Sequence, residues 1–235
     1  MQVIVVDSIE KGIERAKEVL YREVDSKTAL FLSGGKTPKS LYTRLAQEKI
    51  LKPACVGLID ERYGVKTHVN SNERMIEESG LLSYLSKSGL PFYPILQDKL
   101  SRQQTAEKYD QTARNIFFHT PKSMAIFGIG IDGHIAGIPS QVAKLTNEKV
   151  NFDGPEFVTS YDVKEAYANF FGSRVTMTFA GLSLLDFMLV FVFGKDKKEP
   201  LKMMFTTGSF EEVPARFFNT SEASKKTLII TDQKV

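Results

Sequence analysis

The chain has 235 residues, of which 42% are hydrophobic and 25% are charged, so it is long enough and apolar enough to bury a sizeable core. Its 31 basic and 28 acidic residues leave a net charge of +3, which excludes the strongly basic balance of many nucleic-acid-binding and membrane-surface proteins. We therefore expect a folded protein with a small-molecule ligand, no nucleic-acid partner and no membrane partner.

Cysteine usage and the N-terminal residues bear on the compartment. Cys55 is the only cysteine, so an internal disulfide is impossible, and its apolar neighbours indicate a small buried hydrophobe. No basic region followed by an apolar core opens the chain, and no run reaches the ~20 apolar residues of a membrane span. The sequence predicts a cytoplasmic protein, either a monomer or a homodimer.

The first hundred residues indicate alternating strands and helices. Residues 3–6 predict a short strand, and Asp7-Ser-Ile-Glu10 is typical of a capping box that opens a helix to about Tyr21. Residues 28–32 predict a second, buried strand, and residues 55–59 a third. The leucine- and proline-rich segment 80–100 is expected to wrap the surface.

The second strand runs directly into the turn Ser33-Gly34-Gly35-Lys36-Thr37-Pro38. Thr37 is expected as the N-cap of the following helix and Pro38 as its first residue. Glycines followed by the exposed amides of a helix start predict a cradle for phosphate or carboxylate. A Walker A loop would need a glycine at position 30, where Leu30 stands, so the open alternative is an ordinary strand-to-helix turn.

The third strand ends in Asp60-Glu61-Arg62, and a polar loop then leads to Ser71, which is expected to cap a helix starting near Asn72. Charged side chains at the carboxyl end of a strand lie where open α/β sheets bind ligands. A surface cluster of ion pairs is the alternative interpretation.

A long helix is predicted after Ser101, whose sequence Ser101-Arg-Gln-Gln104 resembles a capping box. Its apolar stripe indicates core packing, and His119 at its end is interpreted as structural. The stripe consists of Ala106, Tyr109, Ala113, Ile116 and Phe117.

The central motif is the loop that follows the predicted strand 124–127. Gly128, Gly130 and Gly133 give its backbone freedom, and Asp132 and His134 form a titratable pair. The spacing also satisfies a dinucleotide fingerprint, but Pro139 prevents the long helix that would hold a pyrophosphate. A histidine satisfied within a turn is the remaining structural alternative.

The last third of the chain supplies more strands and a basic turn. Residues 140–156 indicate a covering segment, and strands are predicted at 157–160, 175–179 with half-buried alternation, 187–193 as a central strand, and 227–231. The turn 194–198 carries three lysines that either reach a ligand or form a solvated face. Pro200 close behind it requires an irregular first helical turn. No repeat or linker is visible, so residues 1–235 are expected to form a single domain.

Taken together, these residues resemble the superfamily of 6-phosphogluconolactonases and glucosamine-6-phosphate deaminases. The resemblance covers roughly residues 28–215. Five motifs occur in the family's order: Ser33-Gly-Gly-Lys-Thr-Pro38, Asp60-Glu-Arg62 with Ser71-Asn72, Gly128-Ile-Gly-Ile-Asp-Gly-His134, Arg174-Val-Thr176, and Gly194 with Lys197.

The resemblance implies a three-layer α/β sandwich with a mostly parallel central sheet and a sugar-phosphate substrate. It implies a catalytic pair, His134 as general base for water and Asp132 as its orienting partner, in lactone hydrolysis of the pentose phosphate pathway. The amides of Gly34 and Gly35 would stabilise the oxyanion, and Lys197 and Arg62 with the Lys36-Thr37 turn would bind phosphate. The full set of implied substrate-binding residues is Ser33, Gly34, Gly35, Lys36, Thr37, Asp60, Arg62, Gly130, Arg174 and Lys197.

Several residues favour the lactonase branch. The deaminases usually have tyrosine where Arg62 stands, and they carry a glutamate shortly after the histidine, where Ile135-Ala-Gly-Ile138 has none. This chain also departs from both branches, because four residues separate His134 from Pro139 instead of five. No metal or cofactor is expected, since His68 and His119 show no ligand spacing with His134.

Two alternative functions remain. One is deamination or isomerisation of an amino-sugar phosphate, in which Asp60 would move a proton at C2. The other is a non-catalytic sugar-phosphate sensor, although such sensors tend to lack the histidine.

Overall fold

The computed structural model describes residues 1–146, 150–164 and 172–234. The strands are β1 (Gln2–Val5), β2 (Thr28–Leu32), β3 (Cys55–Leu58), β4 (Asp60–Arg62), β5 (Phe92–Tyr93), β6 (Lys122–Phe127), β7 (Val158–Asp162), β8 (Ser173–Met177), β9 (Phe187–Val192) and β10 (Thr227–Thr231). The helices are α1 (Ile9–Glu23), α2 (Lys36–Glu48), α3 (Asn72–Glu78), α4 (Leu81–Lys87), α5 (Arg102–His119), α6 (Val142–Leu145), α7 (Phe179–Ser183) and α8 (Lys198–Met204).

The main sheet has seven parallel strands in the order β1-β10-β9-β6-β2-β3-β5. Its inner strands are continuous apolar runs, as expected when helices cover both faces. Helix α5 packs on β2 through Phe117, which stacks on Phe31 with the ring centroids 5.2 Å apart. Helices α1 and α2 contact each other and β9. The structure confirms the predicted α/β sandwich with a mostly parallel central sheet.

Many element bounds also agree with the sequence. Strands β2 and β10 span the predicted residues, and the capping box of Ser101 with Gln104 opens α5. Ser71 caps α3 by accepting a hydrogen bond from the Arg74 amide. Pro200 lies in α8 directly after a 3₁₀ turn, Lys195–Lys197, which is the irregular start that the proline requires. In the part of the chain that is described, no helix is both long and apolar enough to cross a membrane.

Two of the predicted helix starts are wrong, by one residue for α1 and by two residues for α2. Ser8, not Asp7, caps α1, because its side chain accepts from the Lys11 amide while Asp7 pairs with the Lys11 ammonium. Helix α2 begins at Lys36 with Gly35 as its N-cap, so Thr37 does not cap it. Pro38 still lies in the first turn, where a missing N–H removes no helical hydrogen bond.

Two longer segments also differ from expectation. Residues 80–100 do not merely wrap the surface, since they contain α4 and the edge strand β5. The strand predicted at 175–179 ends at Met177, because Thr178 caps α7, and Val175, Thr176 and Met177 are all buried instead of alternating. Strand β8 is the middle strand of another sheet, and other elements pack against its side chains: β8 contacts α5, and Thr176 donates to the Ala136 carbonyl.

That second sheet is small and antiparallel, with the order β4-β8-β7. The Asp60-Glu61-Arg62 segment forms its edge strand β4 and is not simply the end of β3. Since side chains alternate along a strand, Asp60 and Arg62 share one face and Glu61 points to the other. The small sheet thereby adds a wall beside the carboxyl edge of the main sheet.

Glu61 is a buried carboxylate that ties β4 to the start of α3. It accepts four hydrogen bonds: from the amides of Arg62 (2.8 Å), Asn72 (2.7 Å) and Glu73 (2.9 Å), and from the Ser71 hydroxyl (2.9 Å). Burial raises the pKa of the Glu61 carboxyl to about 7, although the hydrogen bonds favour its ionised form. Glu61 therefore depends on all four donors to offset its lost hydration.

We expect Glu61→Gln to lower the free energy of unfolding by ~1–3 kcal/mol, because the amide nitrogen of glutamine would face donors and leave at least one of them unpaired. Urea denaturation of the two proteins measures the difference. Glu77→Gln, on the exposed side of the same helix, is the matched control and should change stability by less than ~0.5 kcal/mol. Equal stability of Glu61→Gln and wild type would contradict the anchoring role.

Candidate functional site

A cleft of about 690 Å³ opens at the carboxyl ends of β2, β6 and β9 and extends to the small sheet. This is the edge at which open α/β sheets bind ligands. Asp132 is the one predicted site residue that does not line it. The predicted residues that do are Ser33, Gly34, Gly35, Lys36, Thr37, Asp60, Arg62, Gly130, His134, Arg174 and Lys197.

His134 and Asp132 are in direct contact at the mouth of the cleft. The ring Nδ1 lies 2.6 Å from Asp132 Oδ1, and the two side chains are 48% and 43% exposed, so the ring is accessible to solvent. Partial burial would raise the pKa of Asp132, but the hydrogen bond and charge of His134 outweigh it and lower this pKa to about 2. The carboxylate is therefore ionised at neutral pH and can orient the ring.

Gly130 lies directly beneath the His134 ring. A Cβ atom at position 130 would lie 2.0 Å from Nδ1, so only glycine permits this approach. The Gly130 amide also donates to the His134 carbonyl at 2.9 Å. These contacts show that Gly130 supports His134. Its predicted role in substrate binding stays a prediction.

The chain turns sharply between His134 and Pro139. The Ile138 amide donates to the Ile135 carbonyl at 2.7 Å, and both central residues have left-handed backbones, with φ of 52° at Ala136 and 66° at Gly137. This conformation suits glycine but costs an alanine roughly 1–2 kcal/mol. The four-residue spacing noted in the sequence thus corresponds to a tight turn of this kind.

Asp60 and Arg62 line the cleft and are joined by Asn72. The Asn72 amide nitrogen donates to Asp60 Oδ2 (3.0 Å), and its oxygen accepts from Arg62 Nη1 (2.7 Å). Burial raises the pKa of Asp60, while the neighbouring positive charge of Arg62 lowers it in part. The cleft wall therefore presents a carboxylate and a guanidinium in a fixed arrangement, able to bind hydroxyl groups and an anion.

Arg174 reinforces the positive charge at this end of the cleft. It is the cross-strand partner of Arg62 in the antiparallel β4–β8 pair, so the two guanidinium side chains project from one face. Burial lowers the pKa of Arg174, and the charge of Arg62 lowers it further. Two guanidinium groups beside Asp60 thus contribute positive charge to this wall, which favours an anionic ligand.

The other end of the cleft lies at the N-terminus of α2. The amides of its first turn have no intrahelical acceptors, and the helix dipole favours an anion there. Lys36 and Lys197 both line this end, and the side chain of Lys197 is 17% exposed and 3.5 Å from Asp196. Lys195 and Lys198 are exposed outside the cleft, so Lys197 is the lysine of this turn that can reach a ligand.

Three polar side chains at the cleft were missing from the predicted set: Asn72, Tyr161 and Asp196. The Ser71-Asn72 motif was a signal for Asn72, because it stands beside the charged strand in the resemblance. No local pattern indicates Tyr161, since its place depends on the pairing of β7 with β8. The described residues contain no group of three or more His, Cys, Asp or Glu side chains that could hold a metal ion.

Comparison with known proteins gives a consistent result. Residues 4–229 match the family described as glucosamine-6-phosphate isomerases/6-phosphogluconolactonase. A 6-phosphogluconolactonase of Thermotoga maritima is 31% identical over 193 residues, which are 82% of this chain and 80% of that protein.

Solved structures resemble the whole fold. The crystal structure of 6-phosphogluconolactonase from Thermotoga maritima superposes with a TM-score of 0.74 at 25% identity and covers 98% of both chains. A monomeric glucosamine-6-phosphate deaminase superposes with a TM-score of 0.70 at 18% identity, covering 98% of this chain and 97% of that one. The fold alone therefore does not distinguish the two activities.

The contact with His134 predicts how Asp132 titrates. A carboxyl whose pKa is lowered in the folded protein stabilises the fold at pH values above its ordinary pKa, and this stabilisation is lost as the pH falls through about 2. Asp132 should therefore stay ionised from pH 8 to pH 4. In His134→Asn the hydrogen bond and charge are lost, and the pKa of Asp132 should rise towards ~3.9. Carbon-13 NMR of the Asp132 carboxyl measures both curves; identical curves would contradict the coupling.

Proposed function

Since the chain belongs to the family of glucosamine-6-phosphate isomerases and 6-phosphogluconolactonases, we propose that it hydrolyses 6-phosphoglucono-δ-lactone to 6-phosphogluconate. The observation that carries the proposal is the His134–Asp132 pair at the mouth of a cleft that also contains an anion-binding helix start. The histidine pair could act on an ester-like bond at one end of a sugar, while the helix start could bind a phosphate at its other end. The similarity to a relative named 6-phosphogluconolactonase supports it.

The turn after His134 favours the lactonase over the deaminase branch. Ring opening of an amino sugar would be helped by a carboxylate close behind the histidine, but the turn contains only Ile135, Ala136, Gly137 and Ile138. The described hydrogen bonds give His134 a single carboxylate partner, Asp132. A carboxylate in this position can orient the His134 ring for its proposed role as general base.

The proposed chemistry starts with the general base. Nδ1 of His134 donates to Asp132, which leaves Nε2 as the nitrogen that accepts a proton from water. The water oxygen bonds to C1 of the lactone, and the carbonyl electrons move to its oxygen. Collapse of this intermediate breaks the bond from C1 to the ring oxygen, which takes a proton back from the imidazolium. The products are a carboxyl group and a hydroxyl group, so no atom is unaccounted for.

The oxyanion of the intermediate needs preorganised donors. The backbone amides of Gly34 and Gly35 are our candidates, because both residues line the cleft at the end of β2, beside the loop that follows β6. Donors fixed by a strand end need little reorganisation when charge develops.

The phosphate is assigned to the end of the cleft at the start of α2. Lys36, Lys197 and the first amides of α2 provide charge and directed donors there. Lys197 follows β9, and Arg62 lies in β4, directly after β3. Two strands, β6 and β2, lie between β9 and β3, so β9 and β3 are about 14 Å apart. We therefore assign Arg62, which the resemblance places at the phosphate, instead to the sugar-acid end of the substrate, together with Arg174 and Asp60.

We also propose that residues 1–235 act as one sugar-phosphate-binding domain. The buried apolar side chains of the described residues form a single continuous cluster that includes both sheets. The cleft lies where the two sheets meet, so neither sheet would form it alone.

The decisive assay compares freshly generated 6-phosphoglucono-δ-lactone with glucosamine 6-phosphate. We expect fast, enzyme-dependent acid release from the lactone and no ammonia from the amino sugar. Ammonia release would instead establish the deaminase, for which the buried carboxylate of Asp60 in the cleft provides a proton carrier. Binding of either compound without turnover would identify a sensor.

His134→Asn is the control for this assay. It should lower kcat by at least ~10²-fold, because the proposed general base for water is lost. Circular dichroism should show an intact fold, since the side chain is half-exposed. Turnover close to wild type would remove His134 from the mechanism.

Lys197→Ala should raise KM for the phosphorylated lactone by about 10- to 100-fold and change kcat little, because the lost charged hydrogen bond holds the phosphate far from C1. Lys198→Ala, an exposed lysine outside the cleft, is the matched control. Assays with unphosphorylated glucono-δ-lactone separate the roles. An equal loss with that substrate would contradict phosphate binding by Lys197.

A further inference from the structure

We propose that Thr176 and Tyr161 are positioning residues for the reaction: from the small sheet, their hydroxyls hold two successive carbonyls of the loop that carries His134. Thr176 donates to the Ala136 carbonyl, and Tyr161 donates to the Gly137 carbonyl. The catalytic part of this inference rests on the proposed function.

The turn that receives these hydrogen bonds does not hold its conformation through its own sequence. Two successive left-handed residues suit Asn-Gly or Gly-Gly, whereas here the first of the two is Ala136. A conformation that is locally unfavourable persists only where the surroundings determine it. The surroundings in this case include the two hydroxyl donors.

Both donors are fixed before they reach the turn. Tyr161 is 1% exposed and Thr176 is fully buried, and they lie on the paired strands β7 and β8. Each carbonyl therefore accepts from a side chain that has little freedom to move. Two such contacts on adjacent peptide groups determine both the position and the tilt of the turn.

The third strand of the small sheet closes on the same turn. Asp60 is the register partner of Thr176, and a Cβ atom at Gly137 would lie 2.9 Å from Asp60 Cβ. The turn is thus in contact with side chains from β4, β8 and β7. Its place relative to the cleft wall is set by the small sheet and not by the main sheet, from which the loop emerges.

The turn is linked to His134 by a single buried residue. Ile135 is 1% exposed and joins the histidine to the turn, while Gly130 holds the histidine backbone from the other side. A shift of the turn would therefore move the imidazole relative to the bound carbonyl. Misplacement of about 1 Å can cost roughly 10²-fold in rate.

The test removes one hydroxyl at a time and keeps the shape of the side chain. We expect Thr176→Val and Tyr161→Phe each to lower kcat by about 10-fold or more, with KM for the phosphorylated lactone within ~3-fold of wild type. Thr176 does not line the cleft, so its effect cannot come from contact with substrate. Because both hydroxyls act on one turn, the double variant should lose less than the product of the single losses.

Matched controls separate positioning from stability. Thr227→Val and Tyr84→Phe also remove buried hydroxyls that donate to backbone carbonyls, at sites outside the cleft. They should destabilise the protein by similar amounts while keeping wild-type kcat. Equal kcat losses in controls and test variants would show a general effect of stability and overturn the proposal.

A second measurement does not depend on activity. Amide hydrogen exchange at 134–138 and the NMR shifts of the His134 ring should change in Thr176→Val and Tyr161→Phe but not in the two controls. If the wild type hydrolyses no lactone, the proposed function fails, and these measurements still decide whether the hydroxyls position the loop. Unchanged exchange and ring shifts would overturn the positioning role even if kcat fell.

Discussion

The buried carboxylate of Glu61 is the interaction on which the cleft depends. Glu61 accepts hydrogen bonds from two backbone amides at the start of α3, from the Ser71 hydroxyl and from the Arg62 amide, so β4 and α3 cannot move independently. Asn72, held by one of these hydrogen bonds, then fixes Asp60 and Arg62 on the opposite face of the strand. A carboxyl group buried on one side of β4 thereby orients the side chains of Asp60 and Arg62, which face the cleft on the other side.

The main sheet was largely predictable, because its information is local. An inner parallel strand is a short apolar run, and a strand end followed by glycines can be recognised without knowledge of its neighbours. This is why β2 and β10 were predicted residue by residue. The loop with Asp132 and His134 was also visible, since both side chains stand on one strand end.

The small sheet was not predictable in the same way. Strand β4 has three residues, and its partner β8 lies more than a hundred positions later, so neither segment shows the pairing in its own sequence. Tyr161 gains its place at the cleft only through such a distant contact, the pairing of β7 with β8. The helix starts were uncertain for a different reason: adjacent capping residues such as Asp7 and Ser8 compete, and side-chain hydrogen bonds decide between them.

The bare backbone beneath the His134 ring limits sequence change at that position. The ring occupies the space that a side chain at position 130 would fill, since a Cβ atom there would lie 2.0 Å from Nδ1 and 2.1 Å from Cε1. Even alanine would therefore displace the imidazole from its contact with the Asp132 carboxylate. The histidine thus makes glycine obligatory four positions before it, although that glycine carries no reactive group.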